Sequence, residues 1–414
     1  MIEAALLGAG GRGMFAYASY ALNRPHEIKF VAVAEPNEER RTRFAELHNI
    51  LPERTFSSWE ELLEQPQLCR ALFICTQDAD HYAPTMKALD VGYDILLEKP
   101  MATEPVEALR MAEKAERLGK MLTVCHTMRY SPYFSKLKEL TDSGIIGRIM
   151  NIHWTENVGY WHQAHSFVRG NWRRSDETSP MILAKCCHDM DMLQYIVGGE
   201  CLKVSSFGSL SFFKEENAPE GSTDRCTDGC KVEHECAFSA IKWYYNEKDQ
   251  WPQNVVALTP TLEARWKALV EGPYGRCVFR CDNNVVDHQV VNLVFDNEVT
   301  VAFTMSAFST DNTRSLKIMG TKGEIRGYDE WNELEVILFS GEKHKIRPQE
   351  IEGGHSGADT KIMIDFIRQL ENSDCQGKSS GTVSARSHLI AFAAEKSRLS
   401  GKTVDMDEYI RGLK

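Results

Sequence analysis

The chain has 414 residues, 43% hydrophobic and 26% charged, with a formal net charge of −11 at pH 7. That length exceeds one ordinary hydrophobic core and predicts at least two domains in a soluble globular protein. The acidic balance argues against nucleic acid or an anionic membrane as the main partner, because both demand basic patches.

Residues 2–7 read as a buried strand that runs straight into Gly8-x-Gly10-x-x-Gly13 and a helix over 11–22, stopped by Pro25. No basic segment precedes that strand, as a secretion signal would require. No apolar run approaches the ~20 residues of a membrane helix. A cytoplasmic location is therefore expected, with the twelve cysteines as reduced thiols, buried or metal-binding.

A second strand is predicted over 28–34, followed by a polar helix over 37–47. Ser57-x-x-Glu60 reads as a capping box for a short helix over 59–63. A third strand covers 71–75, and the helix over 83–89 ends at Gly92, placed as a C-cap glycine. A strand over 93–97, a helix over 105–118 closed by Gly119, and a strand over 121–125 continue the alternation. Such βαβ repetition predicts a parallel, doubly wound sheet with right-handed crossovers, a dinucleotide-binding Rossmann domain over 1–125.

From about residue 148 the pattern changes. Strands are predicted over 148–156, 204–213, 290–295, 300–306, 315–319 and 334–339 with few helices between them. Alternation in Val290-Val291-Asn292-Leu293-Val294-Phe295 fits an antiparallel sheet with one covered face. The helix over 384–399 is expected to pack against it. Residues 126–414 are thus expected to form an α+β domain for substrate binding and oligomerisation, with an open, mainly antiparallel sheet. A cysteine-rich insertion interrupts it at about 215–237.

The glycines divide the work of holding a dinucleotide. Gly8 makes the tight turn, Gly10 admits the pyrophosphate, and Gly13 allows close helix–strand packing. The helix N-terminus offers unpaired N–H groups to the phosphates. Glu35 ends the second strand, 22 residues after Gly13, where a carboxylate binds both adenosine ribose hydroxyls. It would repel a 2′-phosphate, so NAD is expected over NADP. Arg40 and Arg41 nearby keep NADP as the alternative.

Glu98-Lys99-Pro100 closes the strand over 93–97. Ligands of an open parallel sheet bind beyond the carboxyl ends of its strands, so Lys99 is expected beside the nicotinamide. An ammonium group there would steady a substrate hydroxyl as it becomes a carbonyl. Further on, His188 and Asp191 share a helix face at i and i+3, so the carboxylate can orient an imidazole that takes the hydroxyl proton.

These motifs together resemble the glucose–fructose oxidoreductase / inositol dehydrogenase / rhizopine-catabolism (Gfo/Idh/MocA) family. The resemblance rests on Gly8-x-Gly10-x-x-Gly13, Thr76 with His81, Glu98-Lys99-Pro100, His126-x-x-Arg129-Tyr130 and Gly144-x-x-Gly147. It continues through His188-Asp189-x-Asp191, Gly320-Thr321-x-Gly323 and Ala394-Glu395-x-Ser397-Arg398-Leu399. It implies NAD(P)-dependent oxidation or reduction at a hydroxyl-bearing carbon of sugars, inositols or related polyols, in homodimers or homotetramers built through the open sheet face. It implies cofactor contacts at Gly8, Gly10, Gly11, Arg12, Gly13, Glu35, Thr76, His81 and Glu98, with Lys99, His188 and Asp191 as the catalytic group. One departure stands out. Many members carry an acid four positions before the histidine, and here that position is Ala184, followed by Lys185.

Substrate contacts are expected from Lys99, Arg129, Tyr160, His165, Trp172, Arg173, Lys185 and His188, because aromatic faces flanked by donors suit a sugar ring. The competing reading of the aromatics is an oligomer contact or local core. His288 and His355 are further polar candidates. Cys226-x3-Cys230-x5-Cys236, with His234 between and Cys277-x3-Cys281 beyond, offers soft ligands for a structural zinc, against a reading as ordinary free thiols.

Three functions are compatible with this sequence. The first is a dehydrogenase acting on a secondary hydroxyl of a sugar, cyclitol or glycoside. The second is an enzyme that cleaves glycosides through transient ring oxidation and retains its NAD. The third is a dinucleotide-sensing regulator without chemistry, against which the intact Lys99 and His188 weigh.

Overall fold

A computed structural model describes residues 1–349, 357–372 and 377–413. Its first sheet has six parallel strands in the order β3-β2-β1-β4-β5-β6. They are β1 (Ile2–Leu7), β2 (Ile28–Ala34), β3 (Thr55–Phe56), β4 (Ala71–Ile74), β5 (Asp94–Leu97) and β6 (Leu122–Val124). Helices cover both faces, so β4 and β5 are buried at every position and read as unbroken apolar runs rather than alternating ones. After β3 the chain crosses to the other side of β1, and the switch point between β1 and β4 opens the crevice at the glycine turn.

The second sheet has nine strands in the order β14-β13-β12-β11-β7-β10-β9-β8-β15. These are β7 (Ile149–Gly159), β8 (Cys201–Ser209), β9 (His288–Phe295), β10 (Thr300–Ser309), β11 (Thr313–Gly320), β12 (Gly323–Tyr328), β13 (Glu333–Leu338), β14 (Lys343–Ile346) and β15 (Val404–Asp405). Only the β7–β10 pair is parallel. In β9 every second side chain is buried, the signature of a sheet with one covered face. On the open face Phe207 and Val290 are cross-strand partners and both exposed.

The sequence marks no strand at β3, β12, β14 or β15 and carries the strand from 204 on to 213, past the end of β8, and four further features depart from its expectations. The helix after the glycine turn opens as a wide π-type stretch, Gly11–Ala18, and tightens to α only over Ser19–Asn23. The cap of helix Trp59–Leu63 lies one residue on: Ser58 accepts from the Glu61 amide, and Glu61 reaches back to the Ser57 amide. The excursion between β8 and β9 runs over residues 210–287, well past the cysteine-rich stretch, and carries helices Ala240–Tyr244, Gln253–Val256 and Leu262–Glu271. Finally, the long helix Gly381–Ser400 packs on helix Pro105–Leu118 of the first domain as well as on β8. The polypeptide thus returns to its first domain and ties the two together.

Candidate active site

The glycine turn is sterically determined. Gly8 has φ +87°, and a Cβ there would stand 2.5 Å from the carbonyl oxygen of Cys75. A Cβ on Gly13 would meet the Gly8 oxygen at 2.3 Å, so the helix can approach β1 only without a side chain. A Cβ on Gly10, by contrast, would find nothing within 4 Å. That open space at the helix N-terminus fits a pyrophosphate. Val255 from the β8–β9 excursion reaches to 3.5 Å of the Cβ position of Gly11, so the excursion covers the turn.

Glu35 is 6% exposed and firmly held. Its two carboxylate oxygens accept from the backbone amides of Ala9 at 2.7 Å and Asn37 at 2.9 Å. The remaining lone pairs lie beside the glycine turn, where ribose hydroxyls would donate to them. Arg41 donates to the carbonyl oxygens of Glu35 and Pro36, and so has its guanidinium occupied by backbone.

Several residues expected at the cofactor are engaged in joining loops. Arg12 donates to Glu98 at 2.7 Å, to Asp359 at 2.8 and 3.1 Å, and to the Tyr17 hydroxyl at 2.7 Å. Burial alone would raise the Glu98 pKa, but Arg12 and Lys99 hold it below the ordinary value, so Glu98 is an anion. Thr76 donates to the Asp80 carbonyl at 2.8 Å. His81 lies 2.7 Å from the Pro100 oxygen and 3.2 Å from the Thr76 oxygen, bridging the loops after β4 and β5.

Beyond Glu98, the Lys99 amine donates to the carbonyl of Ala184 at 2.7 Å. Ala184 ends the turn Met181–Ala184, which feeds directly into helix Cys187–Val197 carrying His188. The end of β5 thereby meets the turn that leads into the helix carrying His188. The His188 ring stands edge-on to His126, centroids 5.9 Å apart, and His126 stands 5.3 Å from His388.

Asp191 is fully buried and takes two bonds from Arg129, at 2.6 and 2.8 Å, with the His126 Nε2 at 3.8 Å. Burial would raise its pKa, but His126 and Arg129 hold it lowered. Arg129 is 3% exposed and also donates to the Lys378 carbonyl. The structure therefore places Arg129, expected at the substrate, in a buried bidentate pair, and gives Asp191 contacts with Arg129 and His126.

The histidines around this pair carry a pH signature. Burial lowers His388 from 6.5 to about 3 and His126 to about 4. Below pH 6.5 the unfolded chain takes up protons that the folded one refuses, so stability is lost as pH falls from 6.5 towards 4. At pH 5 each such histidine costs about 2 kcal/mol. We expect denaturant unfolding to show this loss between pH 7 and pH 5, and His388→Gln to reduce it, because Gln can still accept from the Met101 amide. An unchanged pH slope in His388→Gln would refute the assignment.

Lys185 takes the place beside Ala184, and its amine stands 3.2 Å from Glu156. Glu156 projects from β7, is fully buried, and is also paired with Arg314 at 2.5 Å, which reaches Asp189 at 3.0 Å. Burial pushes the Glu156 carboxyl up, against the pull of Arg314 and Lys185. Lys185, which follows Ala184, is thus tied to a buried acid on a neighbouring strand. Alternation in β7 carried the signal: Ile152, Trp154, Glu156 and Val158 are all buried on one face.

The aromatic segment after β7 meets the excursion. Trp161 stacks on Trp243 at 5.4 Å, and Tyr160 stands edge-on to Trp243 and Phe238. His165 stacks on Tyr274 at 4.7 Å and lies 3.0 Å from the Tyr244 hydroxyl. Trp172 donates to Asp78 in the loop after β4, and Arg173 pairs with Asp282 at 2.9 Å. Trp172 and Arg173 therefore spend their polar groups on protein partners. His288 pairs with Asp287, and His355 lies outside the described residues. Cys226, Cys230 and Cys236 line one small void with Cys277, whereas the His234 side chain is 94% exposed. Among the described residues no three His, Cys, Asp or Glu side chains are gathered as a metal shell, and no helix is long and apolar enough to cross a membrane.

Residues 2–126 match the family model described as the oxidoreductase family with an NAD-binding Rossmann fold, and residues 138–406 match its C-terminal alpha/beta domain. The chain belongs to the GFO_IDH_MocA oxidoreductase family. It is 25% identical over 364 residues to the putative oxidoreductase YteT of Bacillus subtilis, covering 83% of this chain and 82% of that protein. It is 26% identical to the NAD(+) scyllo-inositol 2-dehydrogenase of Bacillus subtilis over 50% of this chain and 58% of the relative. A levoglucosan dehydrogenase solved with NADH and levoglucosan shares the fold, with a TM-score of 0.72 and 19% identity over 98% of this chain and 99% of that one.

Proposed function

We propose that this GFO_IDH_MocA member is an NAD-dependent dehydrogenase exchanging hydride with a secondary hydroxyl carbon of a sugar, cyclitol or glycoside. The observation that carries the reading is the bond from the Lys99 amine to the Ala184 carbonyl. It brings the ammonium at the carboxyl end of β5 to the turn that leads into His188. The relatives named for scyllo-inositol and levoglucosan support a polyol or sugar.

Bound NAD would supply the hydride acceptor; the remaining work falls to side chains. Lys99, tethered by Ala184, presents its other N–H groups to the substrate oxygen and stabilises negative charge as it develops. His188 takes the hydroxyl proton. Asp191 and Arg129 fix the helix and the loop after β6 against one another. Purified full-length protein with NAD+ and a panel of sugars, inositols and glycosides should generate NADH. A flat panel alongside tight NAD binding would favour the sensing role instead.

Glu35 carries the cofactor preference. With its carboxylate fixed by two amides, a 2′-phosphate would meet an anion that cannot swing away. NAD should bind more tightly than NADP, and Glu35→Ser should narrow the gap. Fluorescence titration decides it, and equal or tighter NADP binding by the unaltered protein would sink the assignment.

One observation also favours transient ring oxidation with retained cofactor, namely the cover that Val255 provides over the glycine turn. NAD that co-purifies and is not consumed in turnover would mark that case. The exposed pair Phe207 and Val290 on the open sheet face supports a homo-oligomer, in keeping with a cytoplasmic enzyme of this family.

A further inference from the structure

The excursion over residues 210–287 has little core of its own. Apart from Val285 and Val286, which join the main core at its end, its buried apolar side chains fall into two small clusters, one around Phe213, Val278 and Phe279 and one around Ala240, Tyr244 and Leu269. Segments so poor in buried apolar surface usually need a disulfide or a metal to order them. Between the clusters, Cys226, Cys230, Cys236 and Cys277 line a void of about 20 Å³. The first three come from one loop and the fourth from beyond helix Leu262–Glu271, so together they tie both ends of the excursion.

The charge around this void points the same way. Arg169 is 1% exposed, yet its bonds go to the carbonyls of Arg276 at 2.6 Å and Phe238 at 2.7 Å and to the Cys226 sulfur at 3.9 Å. It forms no carboxylate ion pair among the described residues. A buried guanidinium facing a cluster of sulfurs is compensated when those sulfurs are thiolates. The Ala240 amide adds a second donor to the Cys226 sulfur at 3.4 Å. N–H groups directed at sulfur are the outer-shell partners that metal-bound thiolates use.

We propose that Cys226, Cys230, Cys236 and Cys277 form a structural zinc site that fastens the excursion over the glycine turn. Four sulfur donors in a closed setting suit zinc or an iron–sulfur cluster. The void, able to hold about one water or one ion, suits a single ion. Zinc–sulfur bonds are ~2.3 Å, so the ion draws inward four sulfurs that do not yet converge. Binding replaces four S–H bonds with four Zn–S bonds and releases four protons to solvent, with no change of oxidation state. His234 points to solvent, and the Cys281 sulfur donates to the Cys277 carbonyl at 3.2 Å, so neither is a ligand. The site is independent of the hydride chemistry.

The test is elemental analysis of tag-free full-length protein, expressed with supplemented zinc and purified without chelator. About one zinc per chain is expected, with Cys236→Ser and Cys277→Ser losing it and Cys281→Ser keeping it. Should the first two variants precipitate, the unaltered protein treated with an organomercurial should release its zinc in step with modification of four thiols. Exchange into cobalt should give sulfur-to-metal charge-transfer bands of a tetrahedral thiolate site. Less than about a tenth of an equivalent of zinc, with these thiols titrating rapidly in the native state, overturns the proposal. So does stoichiometric iron, or zinc retained in Cys277→Ser but lost in Cys281→Ser.

Discussion

Lys99→Met is expected to lower kcat by ~10²-fold or more while leaving NAD affinity nearly intact. Methionine keeps the length of the side chain but loses the ammonium, and with it the bond to the Ala184 carbonyl. On the proposed role that charge acts on the substrate oxygen as it gains negative character, so its loss should fall on the transition state more than on the bound cofactor. His188→Ala should lower kcat by ~10²–10⁴, the usual worth of a positioned base. It should also flatten the acid limb of the pH–rate profile, because a protonated imidazole cannot accept the hydroxyl proton. Steady-state kinetics on the true substrate, beside fluorescence titration of NAD, separate the two effects. Either variant retaining the kcat of the unaltered protein would remove that residue from the mechanism.

Most of the first domain was legible in the sequence because its elements, apart from the two-residue strand β3, carry local marks. Gly8 and Gly13 are demanded by contacts under 3 Å, and Gly92 and Gly119 adopt the left-handed conformation at their helix ends, with φ of 107° and 62°. The bond from Lys99 to the Ala184 carbonyl carries no mark in the sequence, because nothing local links the end of β5 to the turn before a helix almost ninety residues on. What stayed hidden was the identity of buried polar partners. His388 lies in the helix Gly381–Ser400 yet bonds the Met101 amide beside Pro100, and no periodicity announces a contact across 287 positions. Arg129 reads from sequence as a cation free to meet a substrate, and only burial shows that Asp191 has claimed it. The insertion was recognised by its cysteines and underestimated in length, since no cysteine falls between 237 and 276 to mark the aromatics Trp243, Trp251 and Tyr274 that pack around Trp161 and His165.

Arg129→Met should cost about 3–5 kcal/mol of stability, the usual penalty for removing one partner of a buried ion pair. Methionine fills much of the space of the arginine stem but leaves Asp191, fully buried, with His126 as its remaining neighbour of opposite potential charge. The carboxylate must then take up a proton or draw one onto His126, and the bond to the Lys378 carbonyl that holds the C-terminal segment is lost as well. Removing both charges changes the outcome: Arg129→Met combined with Asp191→Asn should recover a substantial part of the loss, because no uncompensated charge stays inside. A substrate-binding arginine behaves differently. Its loss would raise KM and leave the unfolding midpoint in place, and the double variant would bring no recovery. Denaturant unfolding of the two variants beside the KM of the single one therefore discriminates between the roles. An Arg129→Met protein as stable as the original, with KM raised, would return Arg129 to the substrate site and leave Asp191 without its structural partner.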